Sequence, residues 1–196
     1  QTQLAIDTFC HAWETKRPPL LEKILLQAHY LPSGPLSLRL RVGFKTGRTG
    51  LLRALPPQSV GEWLDCIADS DPTIREAALA AGAELPPESR EEVCRLAIYA
   101  GRPEAMDGIT RHDFRPDSLP DQALLLFLQE RWTDYALLDF DFNLLENMYA
   151  AAPEDLRKRI AARVRSAGRP EFLSILTGGD LRYRATVYSA EEAATL

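Results

Sequence analysis

One corner recurs along this chain and limits what it can become. Ala100-Gly101-Arg102-Pro103-Glu104 returns as Ala167-Gly168-Arg169-Pro170-Glu171. Looser copies occur at Phe44-Lys45-Thr46-Gly47-Arg48 and Leu128-Gln129-Glu130-Arg131. Each copy closes one apolar helical segment and opens another that carries Leu or Ile: Leu51-Leu52, Ile109, Leu137-Leu138, and Leu173 with Ile175-Leu176. Glycine just past a helix end accepts the left-handed conformation that stops the helix. Proline just beyond it costs least in the first turn of the next. The corner is therefore a helix–turn–helix junction used several times, with arginines 48, 102, 131 and 169 spaced unevenly. Fixed-period self-similarity is the mark of repeat architectures, and here the period is degenerate.

Helical periodicity fills the space between the corners, and prolines punctuate it at 18–19, 56–57, 72, 86–87, 103, 116, 120, 153 and 170. The pattern predicts helices near 2–15, 19–29, 35–46, 48–55, 59–69, 72–83, 89–100, 103–112, 119–130, 132–138, 141–151, 153–167 and 170–177. Two starts carry Ser-x-x-Glu, Ser59 to Glu62 and Ser89 to Glu92. Both read as capping boxes in which serine accepts from the N3 amide and glutamate reaches back. Thirteen short helices on short loops make sequence neighbours antiparallel, so the expected fold is all-α.

Val60 to Leu85 adds a family resemblance. An apolar first helix leads to the Asp69, Asp71 and Pro72 turn. Ile74-Arg75 and Ala77, Ala78 and Ala81 then open an alanine-rich second helix. This stretch resembles a HEAT repeat, in which V/I-R-x-x-A opens the second helix. The resemblance implies a right-handed α-α superhelix, a HEAT-like solenoid of short antiparallel helix pairs, over residues 1–178. It also implies that the arginines pair with acids of the adjacent turns, Asp71 and Glu104 for example.

Physically, Ile74, Ala77, Ala78 and Ala81 form an i, i+3, i+4, i+7 face where alanine lets helices approach closely. Leu181 to Tyr188 alternates in the manner of a strand. Residues 179–196 are thus expected to be a strand-like or disordered tail leading to a downstream domain. With Gln1 in place of an initiator Met, the chain reads as a segment of a larger bacterial protein.

Composition removes several function classes. The net charge of −5 supplies no global basic field to recruit nucleic acid or an anionic membrane. No apolar run approaches the ~20 residues that cross a bilayer. Cys10, Cys66 and Cys94 show no metal-ligand spacing, and a reducing cytoplasm is the expected compartment. His11, His29 and His112 have no ligand or nucleophile partner at motif spacing. Asp134, Asp139 and Asp141 lie among aromatics but lack the glycine and distal glutamate of a calcium loop. The simpler role for Asp139 or Asp141 is to cap the helix at 143–151, with Leu138, Phe140 and Phe142 filling core. No catalytic, cofactor or metal residues are therefore assigned.

The candidate partner-binding residues lie on a basic helix. Leu156, Ile160, Val164 and Ala167 make its apolar face, and Arg157, Lys158, Arg159, Arg163, Arg165 and Arg169 cover the rest. Arg157, Lys158, Arg159, Arg163 and Arg165, with Trp132 and Tyr135 as exposed aromatics, are the expected contacts. The expected role is a non-catalytic protein–protein interaction scaffold that binds a protein or another domain of its own full-length chain. Nucleic-acid binding through 156–169 is the alternative, and no membrane role is expected.

Overall fold

The computed structural model describes residues 2–11, 13–16 and 18–177, and the strand-like 181–188 segment lies outside them. Among the described residues are thirteen α-helices and no strand. They are α1 (Thr2–His11), α2 (Trp13–Lys16), α3 (Pro19–Gln27), α4 (Leu36–Lys45), α5 (Val60–Ile67), α6 (Pro72–Ala81) and α7 (Pro87–Arg95). The series continues with α8 (Pro103–His112), α9 (Leu119–Leu128), α10 (Trp132–Leu138), α11 (Asn143–Ala151), α12 (Glu154–Ala167) and α13 (Leu173–Thr177). The expected helix at 48–55 is a 3-10 turn, Thr49–Ala54. Gly50 and the Pro56-Pro57 stop leave too little chain there to set a full α-helical ladder.

Proline opens α3, α6, α7, α8 and α9, as the punctuation predicts. The recurring corner is also real at the level of the backbone. Gly47, Gly101 and Gly168 have φ of 72°, 64° and 63°, and Glu130, in the copy without glycine, is forced to 60°. All four are left-handed and all four precede an arginine.

The two capping boxes are not formed. Ser59 ends a 3-10 turn that begins at Pro57, has φ −103° and ψ 4°, and makes no cap bond. An N-cap needs extended backbone, which that turn denies it. Ser89 is already inside α7, because Pro87 starts the helix two residues earlier. Fully buried, it donates its hydroxyl to Leu55 O. Side-chain caps do form elsewhere, at Asp71, accepting from Thr73 N at 2.9 Å, and at Ser118, accepting from Asp121 N at 3.3 Å.

The chain folds as two compact units, residues 1–97 with 102–115 and residues 98–101 with 116 onward. In the first unit α4, α5 and α6 pack on one another around Trp63, which is fully buried and donates its indole N–H to Ala78 O at 2.8 Å. The alanine face of α6 points as predicted. Ile74, Ala78 and Ala81 are buried and Ala77 is half-buried. Two glycines make room for the indole. A Cβ on Gly108 would stand 2.8 Å from Trp63 Cη2, and one on Gly82 3.0 Å from Trp63 Cζ2. The three cysteines are buried as small hydrophobes. In the second unit α11 packs against α9, α12 and α13, with Phe127, Leu145, Ile160 and Phe172 buried between them.

Candidate functional site

Helix α12 begins after Pro153 and carries Glu154 and Asp155 in its first turn, where the helix dipole favours anions. It ends on left-handed Gly168. Leu156, Ile160 and Val164 are buried along one face, with Ala161 beside them at 8% exposure and Ala167 half-buried. The helix phase is the predicted one. The fate of its cations is not uniform.

Three of them serve the second unit itself. Arg159 reaches 60 residues back to the π-helical turn Leu96–Ala100 and donates to Ile98 O and, at 3.1 Å, to Tyr99 O. A π-turn leaves carbonyls without the usual i+4 donors, and the guanidinium fork fills that need. Burial pulls this guanidinium below its ordinary value, against the opposing pull of Asp155. Arg163 forms an ion pair with Glu130, the left-handed corner residue. Arg169 lies over the rings of Trp132 at 5.9 Å and Phe172 at 5.7 Å. Arg159 and Arg163 were expected to face a partner; their geometry instead spends them on backbone carbonyls and a corner carboxylate.

The other three face outward. Arg157 and Arg165 are exposed, and neither side chain makes an ion pair among the described residues. Lys158 pairs with Glu154 at 2.7 Å, one turn back, with both side chains about 70% exposed. These residues line a 340 Å³ surface cleft together with Ala161 and with Tyr149 of α11. The sequence pattern of α12 pointed to its cations. Nothing local to it pointed to Tyr149, which enters from another helix.

Tyr135 is an interior residue. Expected as an exposed aromatic, it is fully buried and its hydroxyl donates to Asp139 at 3.0 Å. It sits in a cluster with Phe127, Phe142 and Phe172, where ring centroids are 5.3–6.0 Å apart. Trp132 packs on the same cluster, 5.3 Å from Phe127, and is half-buried. The exposed apolar side chains near them are Leu137 at 80% and Phe140 at 79%. Phe140 thus does not fill core as expected, because the turn after α10 gives its inward position to Asp139.

Asp139 is fully buried and accepts from Leu144 N and Leu145 N, both at 3.0 Å, so it caps α11. Asp141 accepts from Asn143 N at 3.3 Å. Asp139 and Asp141 therefore meet helix amides and a hydroxyl, Asp134 meets the Arg131 guanidinium, and no group of three metal-ligating side chains gathers among the described residues. His112 Nε2 lies 2.6 Å from Leu79 O while its ring stacks on Phe114, which makes it a packed structural histidine.

The corner arginines divide as well. Arg102 pairs with Asp65 at 3.0 Å and Glu104 at 3.4 Å, and Arg131 with Asp134 at 2.6 Å. Arg75 does not pair with Asp71; it donates to the carbonyls of Asp69 at 2.7 Å and Ser70 at 3.1 Å. Asp71 is instead held by Lys45 at 2.8 Å. Lys45 also binds buried Glu22 at 2.6 Å, and Arg41 bridges Glu22 and Asp69. This network of three carboxylates and two cations borders a 580 Å³ cleft lined by Trp13, Glu22, Arg41, Asp65 and Asp69 among others. Arg41 also covers the Trp13 ring at 5.8 Å. Every charge of the network has an opposite partner, so it reads as an internal brace between α3, α4 and the α5–α6 turn.

No protein-family model matches the chain, and no relative is found among the curated proteins or the solved structures.

Proposed function

We propose that this chain is a non-catalytic protein–protein interaction scaffold, a HEAT-like right-handed solenoid of short helix pairs belonging to a larger cytoplasmic bacterial protein. The observation that supports it is the corner itself. One left-handed residue followed by arginine turns the chain at 47, 101, 130 and 168, even where the residue is Glu. A helix pair cannot bury its apolar face alone. Helix pairs built on one repeated corner are suited to stacking, and a stack of such pairs presents an extended surface for partner recognition. Two features of the second unit fit such a surface: the exposed pair Leu137 and Phe140, and the outward cations of α12.

The test is affinity capture on the immobilised chain from nuclease-treated native lysate, followed by titration of the purified captured protein in a calorimeter. The expected result is a saturable complex of simple stoichiometry. Capture that vanishes on nuclease treatment, or substrate turnover by the purified chain, would sink the scaffold reading. Nucleic-acid binding is the second reading, favoured by Arg157, Lys158 and Arg165 standing exposed on one helix. It requires affinity that falls steeply with salt.

A further inference from the structure

We infer that the cleft where Tyr149 of α11 meets α12 is the docking site for an acidic peptide segment of the protein partner, gripped by Arg157, Lys158 and Arg165 above an Ala161 floor. This rests on the scaffold reading and gives it a surface and a ligand chemistry. Five cations lie on α12 and a sixth, Arg169, just past its end, yet Arg159, Arg163 and Arg169 are consumed by carbonyls, a carboxylate and two rings of the same unit. The remaining three converge on the 340 Å³ cleft.

The spacing supports a peptide. Arg157, Ala161 and Arg165 follow one another at i, i+4 and i+8, so they share a stripe in which the two guanidinium stems are about 12 Å apart along the axis. In an extended peptide, side chains four residues apart lie on the same side and are separated by about 13 Å. Two carboxylates at that spacing meet both arginines, each able to accept a bidentate pair. The small Ala161 side chain leaves depth between the arginines, and Tyr149 offers an apolar wall with a hydroxyl handle.

Charge argues for a peptide over nucleic acid. Nucleic-acid affinity rests on neutralising many phosphates in a row. Here only three cations line the cleft, Glu154 stands in its wall, and the chain carries a net charge of −5. A short acidic segment needs two ion pairs and gains from the apolar floor, whereas a long polyanion meets the repulsive remainder of the surface.

The experiment uses fluorescence anisotropy at low salt with the intact chain. The probe is a fluorescein-labelled ten-residue peptide with glutamates four positions apart and leucine between them; the competitor is a ten-nucleotide thymidine strand. Arg157→Glu with Arg165→Glu is expected to weaken peptide binding at least about tenfold and leave the thermal melt unchanged, since both side chains are exposed and make no ion pair among the described residues. Lys16→Glu with Lys23→Glu makes the same change in net charge at exposed positions of the other unit and is expected to alter affinity less than about twofold.

Four results overturn the inference: no peptide binding by the wild type, unchanged binding by the double reversal, an equal loss in the charge-matched control, or tighter binding of the thymidine strand. A natural partner captured equally well by the double reversal also removes this surface, while leaving the scaffold reading intact. A wild type that binds the peptide in the cleft but captures no protein fails the scaffold reading alone.

Discussion

Gly108→Ala should destabilise the first unit, although in an ordinary helix the same change does the opposite. Gly108 is buried in α8. Replacing glycine by alanine in a helix interior stabilises by about 0.8–1.0 kcal/mol through backbone entropy. Here the added methyl would fall 2.8 Å from Trp63 Cη2, where ordinary contact begins at 3.4 Å, so ring or helix must yield by 0.6 Å (3.4 minus 2.8). The indole has no easy retreat. It is fully buried, its N–H is tied to Ala78 O at 2.8 Å, and its Cζ2 edge lies against Gly82. Overpacking of this kind costs about 1–3 kcal/mol. Set against the propensity gain, the expected net loss is about 1 kcal/mol, reaching about 2 if α8 rather than the ring must move. Urea unfolding followed by far-UV circular dichroism reads it as a lower midpoint at unchanged slope. Repeating the change in a Trp63→Phe background, where the clashing atom is gone, should turn it neutral or stabilising, with a coupling of about 1 kcal/mol or more. A single variant more stable than wild type would refute the packing argument, and equal effects in both backgrounds would locate the cost elsewhere.

Three further outcomes follow from the same packing and charge geometry. Ala78→Asp puts a carboxylate in a fully buried α6 position beneath Trp63; it should cost on the order of 3 kcal/mol or more, and an unchanged thermal melt would show that the helix phase is wrong. At Glu130, φ 60° predicts that Gly is more stable than Ala by about 1 kcal/mol in denaturant titration, because both lose the Arg163 pair and only the backbone differs; the ordinary helical ranking, Ala above Gly, would refute the left-handed corner.

The Lys45–Asp71 pair should mark both ends of the pH–stability profile. Hydrogen bonding from Lys45 and from the Thr73 amide holds the Asp71 carboxyl below its ordinary value, so its contribution is complete above the unfolded pKa of about 4 and is lost as pH falls through the lower folded value. Burial opposes the Lys45 charge, but Asp71 and Glu22 outweigh it and raise its pKa; that contribution is complete below about pH 10 and disappears as pH rises through the raised value. Asp71→Asn should flatten the acid limb in pH-dependent urea titrations, and an acid limb identical to wild type would remove the pair from the account.

Much of the secondary structure was legible in local terms. Proline at helix starts, glycine at helix ends and the 3.6-residue period located nearly every helix within two or three residues, because those signals act through backbone geometry a few residues long. The left-handed turn at 47, 101 and 168 could be read from glycine; that at 130 was legible only as the fourth copy of a pattern. The capping boxes failed for an equally local reason: Pro57 and Pro87 claimed the first turns before the serines could.

The division of the basic helix was not legible, since it depends on what the rest of the chain brings near each guanidinium. Arg159 is bound by carbonyls some 60 residues earlier, and Arg163 by a carboxylate 33 residues earlier. Tyr135 sits three residues from Trp132 and shares its apolar character, yet only the arrival of Phe142 and Phe172 decides that it is interior. Leu137 and Phe140 carry the same hydrophobic character and remain outside. By itself the sequence determined that this chain is helical, where its helices turn, and that α12 carries an excess of positive charge. Tertiary structure alone decided which of those charges are already satisfied, because hydrophobicity and charge are properties of a residue, whereas burial and pairing belong to its neighbours.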